Sequence, residues 1–294
     1  MEGNYTQSKI EDKLFPAKIT LNSRGKLLLL DEPWVMGIIN ITPNSFYSQS
    51  RINKDEPDLA LKRAAKMIEA GAKILDIGGY SSRPGAEEVT EDEERSRVIP
   101  IIEKLKKEFP QTFVSVDTFR SKVAKASVQA GADIVNDISG GDLDPEMIPA
   151  VAQLKVPYIC MHMRGTPQNM YELTDYENLE KEILAYFNRK LQACRKAGIK
   201  DVIIDPGLGF SKTLEQNYRI LKNLSYFNTI NAPILIGLSR KSMIYKLLGI
   251  KQEEALNGTT ALNMVALMNG AKILRVHDVK EAIESVKLFK QLNA

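Results

Sequence analysis

One phrase is repeated along the chain: a helical stretch ends in glycine, and a short apolar strand then follows and finishes in a polar residue. Its four copies are Glu69–Asp76, Gln129–Asn136, Lys196–Asp205 and Asn269–Arg275. The glycines stand where a helix end requires a positive φ, and they are Gly71, Gly131, Gly198 and Gly270. Nearly continuous apolar strands are typical of parallel strands buried on both faces. The phrase therefore predicts an α/β fold with a parallel sheet.

Further apolar strands and amphipathic segments alternate between these copies. The added strands are Trp34–Asn40, Phe113–Asp117, Pro157–His162 and Pro233–Ser239. The amphipathic segments are Asp58–Ala70, Glu91–Phe109, Ser121–Ala130, Pro145–Leu154, Tyr176–Ala197, Leu214–Leu224, Ala255–Asn269 and Val279–Leu292. Eight strand–helix units in one chain predict a (β/α)8 TIM barrel. The alternative is an open doubly wound sheet, although no Gly-x-Gly-x-x-Gly motif follows the first strand.

The region before the first barrel strand has the pattern of a β-hairpin. Its predicted strands, Lys18–Leu21 and Lys26–Leu30, flank the turn Asn22–Gly25. We expect this hairpin to cap the N-terminal end, or bottom, of the barrel. With no linker or low-complexity tract in view, residues 17–294 are predicted to form a single domain. Residues 1–16 are predicted to be a poorly ordered extension.

Composition excludes several classes of protein. The net charge of the 294 residues is +3 with acids and bases well mixed, so there is no electrostatic signature of nucleic-acid binding. The two cysteines, Cys160 and Cys194, lack metal-ligand spacing and are expected to be buried small residues. No apolar run is long enough to cross a membrane, and the polar start does not resemble a signal peptide. We therefore expect a cytoplasmic protein.

Polar residues end all the predicted strands. They are Asn40, Asp76, Asp117, Asn136, His162, Asp205, Ser239–Lys241 and Arg275–His277. Polar strand ends are common near solvent, but barrel enzymes place their active sites at the C-terminal ends of the strands. We expect these residues to converge on one rim, where carboxylates, amides and cations would suit a flat heterocycle with an anionic substituent. Arg275 and His277 would grip a phosphate group, and Asn40 would offer an oxygen to a hard cation.

Several loops at this end have unusual lengths or compositions. Two long loops follow the first and second barrel strands, at Ile41–Pro57 and Gly78–Thr90, and are expected to be lids or binding elements rather than plain connectors. A glycine-rich turn, Asp205–Lys212, brings backbone close to any ligand, but its spacing is not that of a P-loop. The segment Ser239–Ser242 begins a helix whose first turn favours an anion.

An ordered series of motifs resembles the signatures of the dihydropteroate synthases. The motifs are Met36–Phe46, Asp76–Ala86, Ser115–Thr118, Val135–Gly141, Met161–Gly165, Asp205–Phe210, Gly237–Ser242 and Arg275–His277. Each motif alone is weak evidence, whereas the ordered set spans residues 34–280 and is specific. The resemblance implies a transferase of folate biosynthesis that joins 6-hydroxymethyl-7,8-dihydropterin pyrophosphate to p-aminobenzoate.

The resemblance also implies roles for individual residues. The pterin ring would be held by Asp117, Asn136, Met161, Asp205 and Lys241. The pyrophosphate would be held by Asn40, Ser82, Arg275 and His277, with Asn40 also a ligand of Mg2+. The p-aminobenzoate pocket and its closing loops would comprise Thr42, Pro43, Phe46, Ser82, Arg83, Pro84, Gly209, Phe210 and Ser242. The catalytic residues would be Asp117, Asp205, Lys241, Arg275 and His277.

The implied reaction is SN1-like, because loss of pyrophosphate from the exocyclic CH2 leaves a cation that the pterin can delocalise. Mg2+, Arg275 and His277 would neutralise the departing charge, and closing loops would exclude water. The family further implies inhibition by sulfonamides, which imitate p-aminobenzoate, and a homodimer. An apolar stripe on a late helix (Leu262, Val265, Leu267 and Met268) fits a dimer or the core equally well.

Three positions depart from the common family pattern. Asn44 stands where Asp is usual, Tyr80 where Glu is frequent, and Ser82 where Thr is usual. Ser82 keeps the hydroxyl, whereas Asn44 is expected to weaken loop closure and reduce turnover. Two alternatives remain: a methyltransferase of the methyltetrahydrofolate–corrinoid type, and a pterin-binding relative without activity. Neither needs the Arg275–His277 clamp.

Overall fold

Eight parallel strands close into a barrel in the computed structural model, which describes residues 19–41, 57–81 and 89–294. The strands are β3 (Trp34–Asn40), β4 (Ile74–Gly78), β5 (Phe113–Asp117), β6 (Ile134–Asp137), β7 (Tyr158–Met161), β8 (Val202–Asp205), β9 (Ile234–Ile236) and β10 (Ala271–Val276). Each strand pairs with the next in sequence, and β10 returns to pair with β3. The closed barrel confirms the predicted (β/α)8 architecture and excludes the open sheet.

Helices follow the barrel strands and cover the outside of the sheet. They are α1 (Pro57–Glu69), α2 (Glu91–Glu108), α3 (Ser121–Gln129), α4 (Met147–Leu154), α5 (Leu179–Ala197), α6 (Leu214–Lys222), α7 (Ser242–Leu248), α8 (Leu256–Met268) and α9 (Val279–Leu292). Most bounds lie within two residues of the predicted ones. The largest helix difference is at α5, predicted from Tyr176, because the Asn178 side chain caps the helix by accepting from the Lys181 amide. The four glycines of the repeated phrase all have positive φ, between 98° and 118°, as predicted.

Side chains alternate between the two faces of the strands. Outward residues such as Val35, Leu75 and Val135 form the main hydrophobic core with the helices. Inward residues form a second apolar cluster at the N-terminal end of the barrel, including Met36 and Ile203. Toward the C-terminal end the same inward positions become polar. The barrel is therefore closed by hydrocarbon at one end and carries polar groups at the other.

The N-terminal hairpin, β1 (Ile19–Ser23) and β2 (Lys26–Leu30), seals the apolar end. Its inner face contributes Leu21, Leu28 and Leu30 to the inward cluster. The Arg24 side chain donates to the carbonyl oxygens of Val128 and Ala132, which precede β6, at 3.0 and 3.1 Å. These contacts confirm that the hairpin caps the barrel bottom. The predicted extension 1–16 lies outside the described residues.

Both cysteines are buried, as predicted, and neither forms a disulfide bond. Within the described ranges, no helix has both the length and the apolar character that crossing a membrane would require.

Shortening Leu28 to alanine should destabilise the protein by about 2–5 kcal/mol, because it removes a fully buried side chain from the cluster at the barrel bottom. Its neighbour Leu27 is 59% exposed and provides the matched control, for which Leu27→Ala should cost about 0.5 kcal/mol or less. Urea denaturation of both variants measures the difference. Equal losses would contradict the assignment of the hairpin as a cap.

Candidate active site

A cavity of about 500 Å3 lies at the C-terminal ends of the barrel strands. Its strand-borne lining consists of Ile38, Asn40, Asp117 and Arg275, with Gly237 and Ser239 after β9 and His277 after β10. The loops add Tyr80, Ser81, Gly209, Phe210, Lys241 and Ser242. Four of the eight polar strand ends predicted from sequence contribute to this lining, because inward positions of a closed barrel converge on its axis.

Arg275 is the centre of the polar cluster. Its Nε donates to Asp76 Oδ2 and its Nη2 donates to Asp117 Oδ2, both at 2.6 Å. Asn136 Nδ2 donates to the same Asp76 oxygen at 3.1 Å. Asp76 is fully buried and its other carboxylate oxygen has no partner in the described structure. The arrangement fixes the guanidinium and leaves Nη1 as its unused donor among the described residues.

Burial and charge act in opposite directions within this cluster. Burial opposes the charge of Arg275, but Asp76 and Asp117 outweigh it and raise the pKa of the guanidinium. Burial raises the pKa of Asp117, and Arg275 limits that rise. The cluster therefore holds one permanent cation against a carboxyl group, Asp117, that can take up a proton. Such a group can both accept and donate hydrogen bonds to a heterocycle.

Lys241 provides the second cation of the cavity. Its Nζ donates to the carbonyl oxygen of Leu208 and lies 4.6 Å from the centre of the Phe210 ring. Burial lowers the pKa of Lys241 to about 8, although Asp205 favours its charge. Asp205 itself is buried, which raises its pKa, and its Oδ1 accepts from the Gly207 amide at 2.8 Å. Lysine and aspartate thus lie together at the glycine-rich turn.

Three of the predicted pterin-binding residues are buried and do not form the cavity wall. Asn136, Met161 and Asp205 are each about 5% exposed and lie on the inward faces of β6, β7 and β8. Met161 belongs to a small apolar cluster with Ile138, Met163 and Met170, against which Phe210 packs. Met170 and Phe210 also line the cavity, so the cluster gives it an apolar surface.

His277, Ser239 and Asn40 line the remaining polar side. Ser239 Oγ lies 3.1 Å from His277 Nδ1 and accepts from the His277 amide at 3.2 Å. Arg240 is engaged elsewhere, because it forms a two-point ion pair with Asp278 at 2.8 and 2.9 Å. All four residues of the segment expected to attract an anion, Ser239–Ser242, line the cavity, but the Arg240 guanidinium is held by Asp278.

The oxygen atoms near Asn40 could hold Mg2+ only if a bound substrate supplied further ligands to the ion. Asn40 and Asp117 both lie beside Gly78, with Asn40 Oδ1 and Asp117 Oδ2 at 3.4 and 3.8 Å from the position that a Cβ would take there. Across the described ranges, no cluster of three or more acidic, histidine or cysteine side chains could hold a metal. Mg2+ commonly uses one or two protein oxygens and completes its shell with water and phosphate oxygens. The residues fit that mode.

His162 points away from the barrel axis, so the expectation that all the polar strand ends converge on one site is wrong for this residue. Its ring is buried against Tyr186 and Phe187, at centroid distances of 4.8 and 6.5 Å. Met161 points into the barrel, and the next residue in the chain therefore points outward. His162 Nδ1 instead contacts Lys212 Nζ at 3.1 Å.

Two further residues, Asp76 and Tyr80, belong to the site although no individual role was predicted for either. Asp76 anchors Arg275, and its place among the polar strand ends was the available signal. Tyr80 lines the cavity, packs edge-on against Phe119 at 5.0 Å and accepts from Gln168 Nε2 at 3.3 Å. The tyrosine that departs from the family pattern therefore joins the loops after β4, β5 and β7.

Predicted loop residues lie outside the described residues. They are Thr42, Pro43, Asn44, Phe46, Ser82, Arg83 and Pro84. Gly209, Phe210 and Ser242, the other members of the predicted p-aminobenzoate set, all line the cavity.

Comparison with known proteins identifies close relatives. The family model described as pterin binding enzyme matches residues 36–277. The dihydropteroate synthase of Escherichia coli K12 is 43% identical over 272 residues, which cover 92% of this chain and 95% of that protein. The Yersinia pestis dihydropteroate synthase, solved with a sulfonamide drug, has a TM-score of 0.88 at 40% identity, covering 94% of this chain and 99% of that one. The Xanthomonas albilineans enzyme, solved with 4-aminobenzoic acid, has a TM-score of 0.86 at 36% identity and covers 95% and 99%.

Replacing Arg275 by methionine should destabilise the fold by about 3–5 kcal/mol at pH 7, because it leaves the buried Asp76 and the partly buried Asp117 without their cation. Without Arg275 the pKa of Asp117 rises further in the folded state. A raised carboxyl pKa gives stability that is present at low pH and lost as pH rises through the folded-state value, so the deficit should shrink toward pH 5.

Urea denaturation at pH 7 and pH 5 tests this expectation. Arg95→Met is the control, because Arg95 forms an exposed ion pair with Asp92 at 3.6 Å and should contribute less than about 1 kcal/mol. A deficit for Arg275→Met that does not change with pH would rule out the charge explanation.

Proposed function

The chain belongs to the dihydropteroate synthase family of pterin-binding enzymes, and from that premise we propose how its cavity condenses 6-hydroxymethyl-7,8-dihydropterin pyrophosphate with p-aminobenzoate. The products are 7,8-dihydropteroate and pyrophosphate, a step of folate biosynthesis. The observation that carries the proposal is the pairing of a largely buried acid–amide set with two partly buried cations, Arg275 and Lys241, at one end of the barrel. A methyltransferase of the methyltetrahydrofolate–corrinoid type has no need for the two cations.

The pterin ring is proposed to bind at the acid–amide set. Asp117, Asn136 and Asp205 offer hydrogen-bonding oxygens and an amide on the inward faces of their strands, and Lys241 lies beside them. A pterin edge presents alternating donors and acceptors, which this set can match once the ring is buried. Met161 and its apolar neighbours provide a surface for the face of the ring.

The pyrophosphate is proposed to lie toward Asn40, Arg275 and His277, with Ser82 from the second loop. Arg275 can reach it with Nη1 while Asp76 and Asp117 hold the rest of the guanidinium in place. Asn40 would be the protein ligand of Mg2+, and the pyrophosphate oxygens would supply further ligands. When bound, Mg2+ would supply Lewis-acid neutralisation of the leaving group.

The chemical step is proposed to begin with cleavage of the bond between the exocyclic carbon and the pyrophosphate oxygen. The bonding electrons leave with pyrophosphate, where Arg275 and His277 lower the energy of the new charge. The carbon becomes cationic, and Asp117 and Asp205 stabilise the electron-poor ring. The arylamine nitrogen then donates its lone pair to that carbon and loses a proton. No protein nucleophile is needed, and neither buried cysteine lies at the cavity.

The p-aminobenzoate is proposed to lie between the glycine-rich turn and the start of α7. Gly209 and Phe210 form one wall and Ser242 another. Thr42, Pro43, Phe46, Ser82, Arg83 and Pro84 would complete the pocket when the two long loops close. Solved relatives contain 4-aminobenzoic acid or a sulfonamide drug, which supports binding of both kinds of molecule here.

The cellular setting is part of the proposal. Two unbonded buried cysteines are compatible with a reducing compartment, so we propose that the enzyme works in the cytoplasm. Neither a nucleic acid nor a membrane is a proposed partner.

We also propose a homodimer through α7 and α8. Of the late-helix stripe, Leu267 is buried in the core and Leu262 packs against it, whereas Val265 and Met268 are 38% and 58% exposed. Leu247 and Leu248 of the neighbouring helix are also exposed. An apolar patch shared by adjacent helices suits an isologous interface.

The condensation is tested by following pyrophosphate and dihydropteroate together, with both substrates and Mg2+. We expect equal release of the two products that is lost with EDTA and restored by Mg2+. Lys241→Met should lower kcat/KM by at least about 100-fold, because it removes a partly buried cation from the ring site. Pterin binding without product would identify a relative without activity, and no pterin binding at all would contradict the assigned site.

The dimer is tested by replacing Val265 and Met268 together with aspartate. The double variant should sediment as a monomer at concentrations where the parent is a dimer, because it places charges in an apolar interface. Leu59→Asp on α1 is the control, since Leu59 is 45% exposed and α1 packs against α2. A parent that sediments as a monomer would contradict the proposal.

A further inference from the structure

Lys212 is buried and lies outside the cavity lining, yet it contacts the loop that forms one of its walls. The residue is 4% exposed and is the last residue of the glycine-rich turn Asp205–Lys212. Its Nζ donates to the carbonyl oxygens of Gly207 and Phe210 at 3.1 and 3.0 Å and contacts His162 Nδ1 at 3.1 Å. An ammonium group has three N–H donors, and here each has one acceptor.

Lys212 is unusual because a backbone loop, rather than a carboxylate, surrounds it. Among the described residues no acidic oxygen lies within ion-pair distance of its Nζ. Burial lowers the pKa of Lys212 to about 7, and the more distant Asp205 opposes this shift. A buried amine of this kind is costly unless its hydrogen bonds are all made. The cost points to a function for the loop that it holds.

The turn needs such support because its backbone is strained. Gly207, Gly209 and Ser211 alternate in the left-handed region, with φ of 70°, 84° and 45°. Ser211 is not a glycine, and such a conformation costs about 1–3 kcal/mol unless the surroundings determine it. At Gly207 a Cβ would lie 2.1 Å from the His162 carbonyl oxygen, so the turn packs directly on the segment that carries His162.

The same turn carries the groups that face the substrates. Leu208 offers the carbonyl oxygen to which Lys241 Nζ donates, and the Phe210 ring lies under that ammonium group. Gly209 and Phe210 both line the cavity. A shift of the turn would therefore move the proposed p-aminobenzoate wall and release one contact of Lys241.

We propose that Lys212 is a positioning residue, which clamps the glycine-rich turn from behind through Gly207, Phe210 and His162 and so sets the p-aminobenzoate wall of the active site. This rests on the proposed function for the identity of the substrate. Lys212 does not touch the substrate and acts through Gly209, Phe210 and Lys241. It also gives buried His162 a role, as a neutral imidazole whose Nδ1 accepts from Lys212.

The test compares Lys212→Met with Lys222→Met, which removes an exposed lysine from α6. For Lys212→Met we expect the KM for p-aminobenzoate to rise about tenfold and kcat to fall several-fold. The affinity for free pterin should change less than threefold, because the acids and amide of the ring site stay in place. Lys222→Met should leave all three values unchanged. A merely structural role would instead reduce the active fraction, and thus kcat, with unchanged KM.

His162→Phe provides a second route in case Lys212→Met does not fold. Phenylalanine fits among the aromatic neighbours but removes one of the three acceptors, so the KM for p-aminobenzoate should rise about two- to fourfold. Values within error of the parent for both variants, or equal losses for pterin and p-aminobenzoate, would overturn the proposal.

Amide hydrogen exchange of the segment 207–211 separates this proposal from the proposed function. The turn should exchange more than tenfold faster in Lys212→Met than in the parent, whatever reaction the parent catalyses. A parent that forms no dihydropteroate would refute the function but leave the clamp open to this measurement. Unchanged exchange in an active enzyme would refute the clamp alone.

Discussion

The active-site end of the barrel depends on one ionic contact, in which the Arg275 guanidinium bridges Asp76 and Asp117. These residues lie on β10, β4 and β5, so the contact joins the last barrel strand to two of the first three and depends on the pairing of β10 with β3. A fully buried carboxylate such as Asp76 is unfavourable without a countercharge, and a buried guanidinium is equally unfavourable alone. The pairing that brings the last strand beside the first therefore also assembles this part of the site.

The charge balance of this end explains its chemistry. Three inward carboxyl groups, Asp76, Asp117 and Asp205, face two cations, Arg275 and Lys241. With every group ionised the set would carry an excess negative charge, and burial relieves it by raising the pKa values of Asp117 and Asp205. A carboxyl group such as Asp117, whose pKa burial raises to about 7, can change hydrogen-bonding partners as positive charge develops on the pterin in the proposed reaction. The cavity can thus stabilise a cation without a permanently unpaired anion.

Much of this could be predicted from the sequence, because the repeated glycine-ended helices and apolar strands indicate a barrel, and polar strand ends mark its active side. The prediction failed at His162 for a physical reason. In β7 both faces are buried, so its residues are apolar on both sides and no hydrophobic alternation shows which face is inward. Only pairing with β8, which aligns Met161 with Asp205, shows that His162 points away. The different contacts of Arg240 and Lys241 could not be predicted either, because the partner of Arg240, Asp278, lies 38 residues further along the chain.

Two lysines near the site, Lys212 and Lys241, also have roles that the sequence alone cannot distinguish. Lys212 and Lys241 both lie against the glycine-rich turn, and burial lowers the pKa of each, to about 7 and about 8. The turn and His162 take every donor of Lys212, whereas among the described contacts Lys241 bonds only to the Leu208 carbonyl. A lysine whose donors are all used can hold a structure but cannot bind a ligand. A lysine with free donors toward a cavity can do both, and this difference depends on tertiary contacts that sequence spacing does not encode.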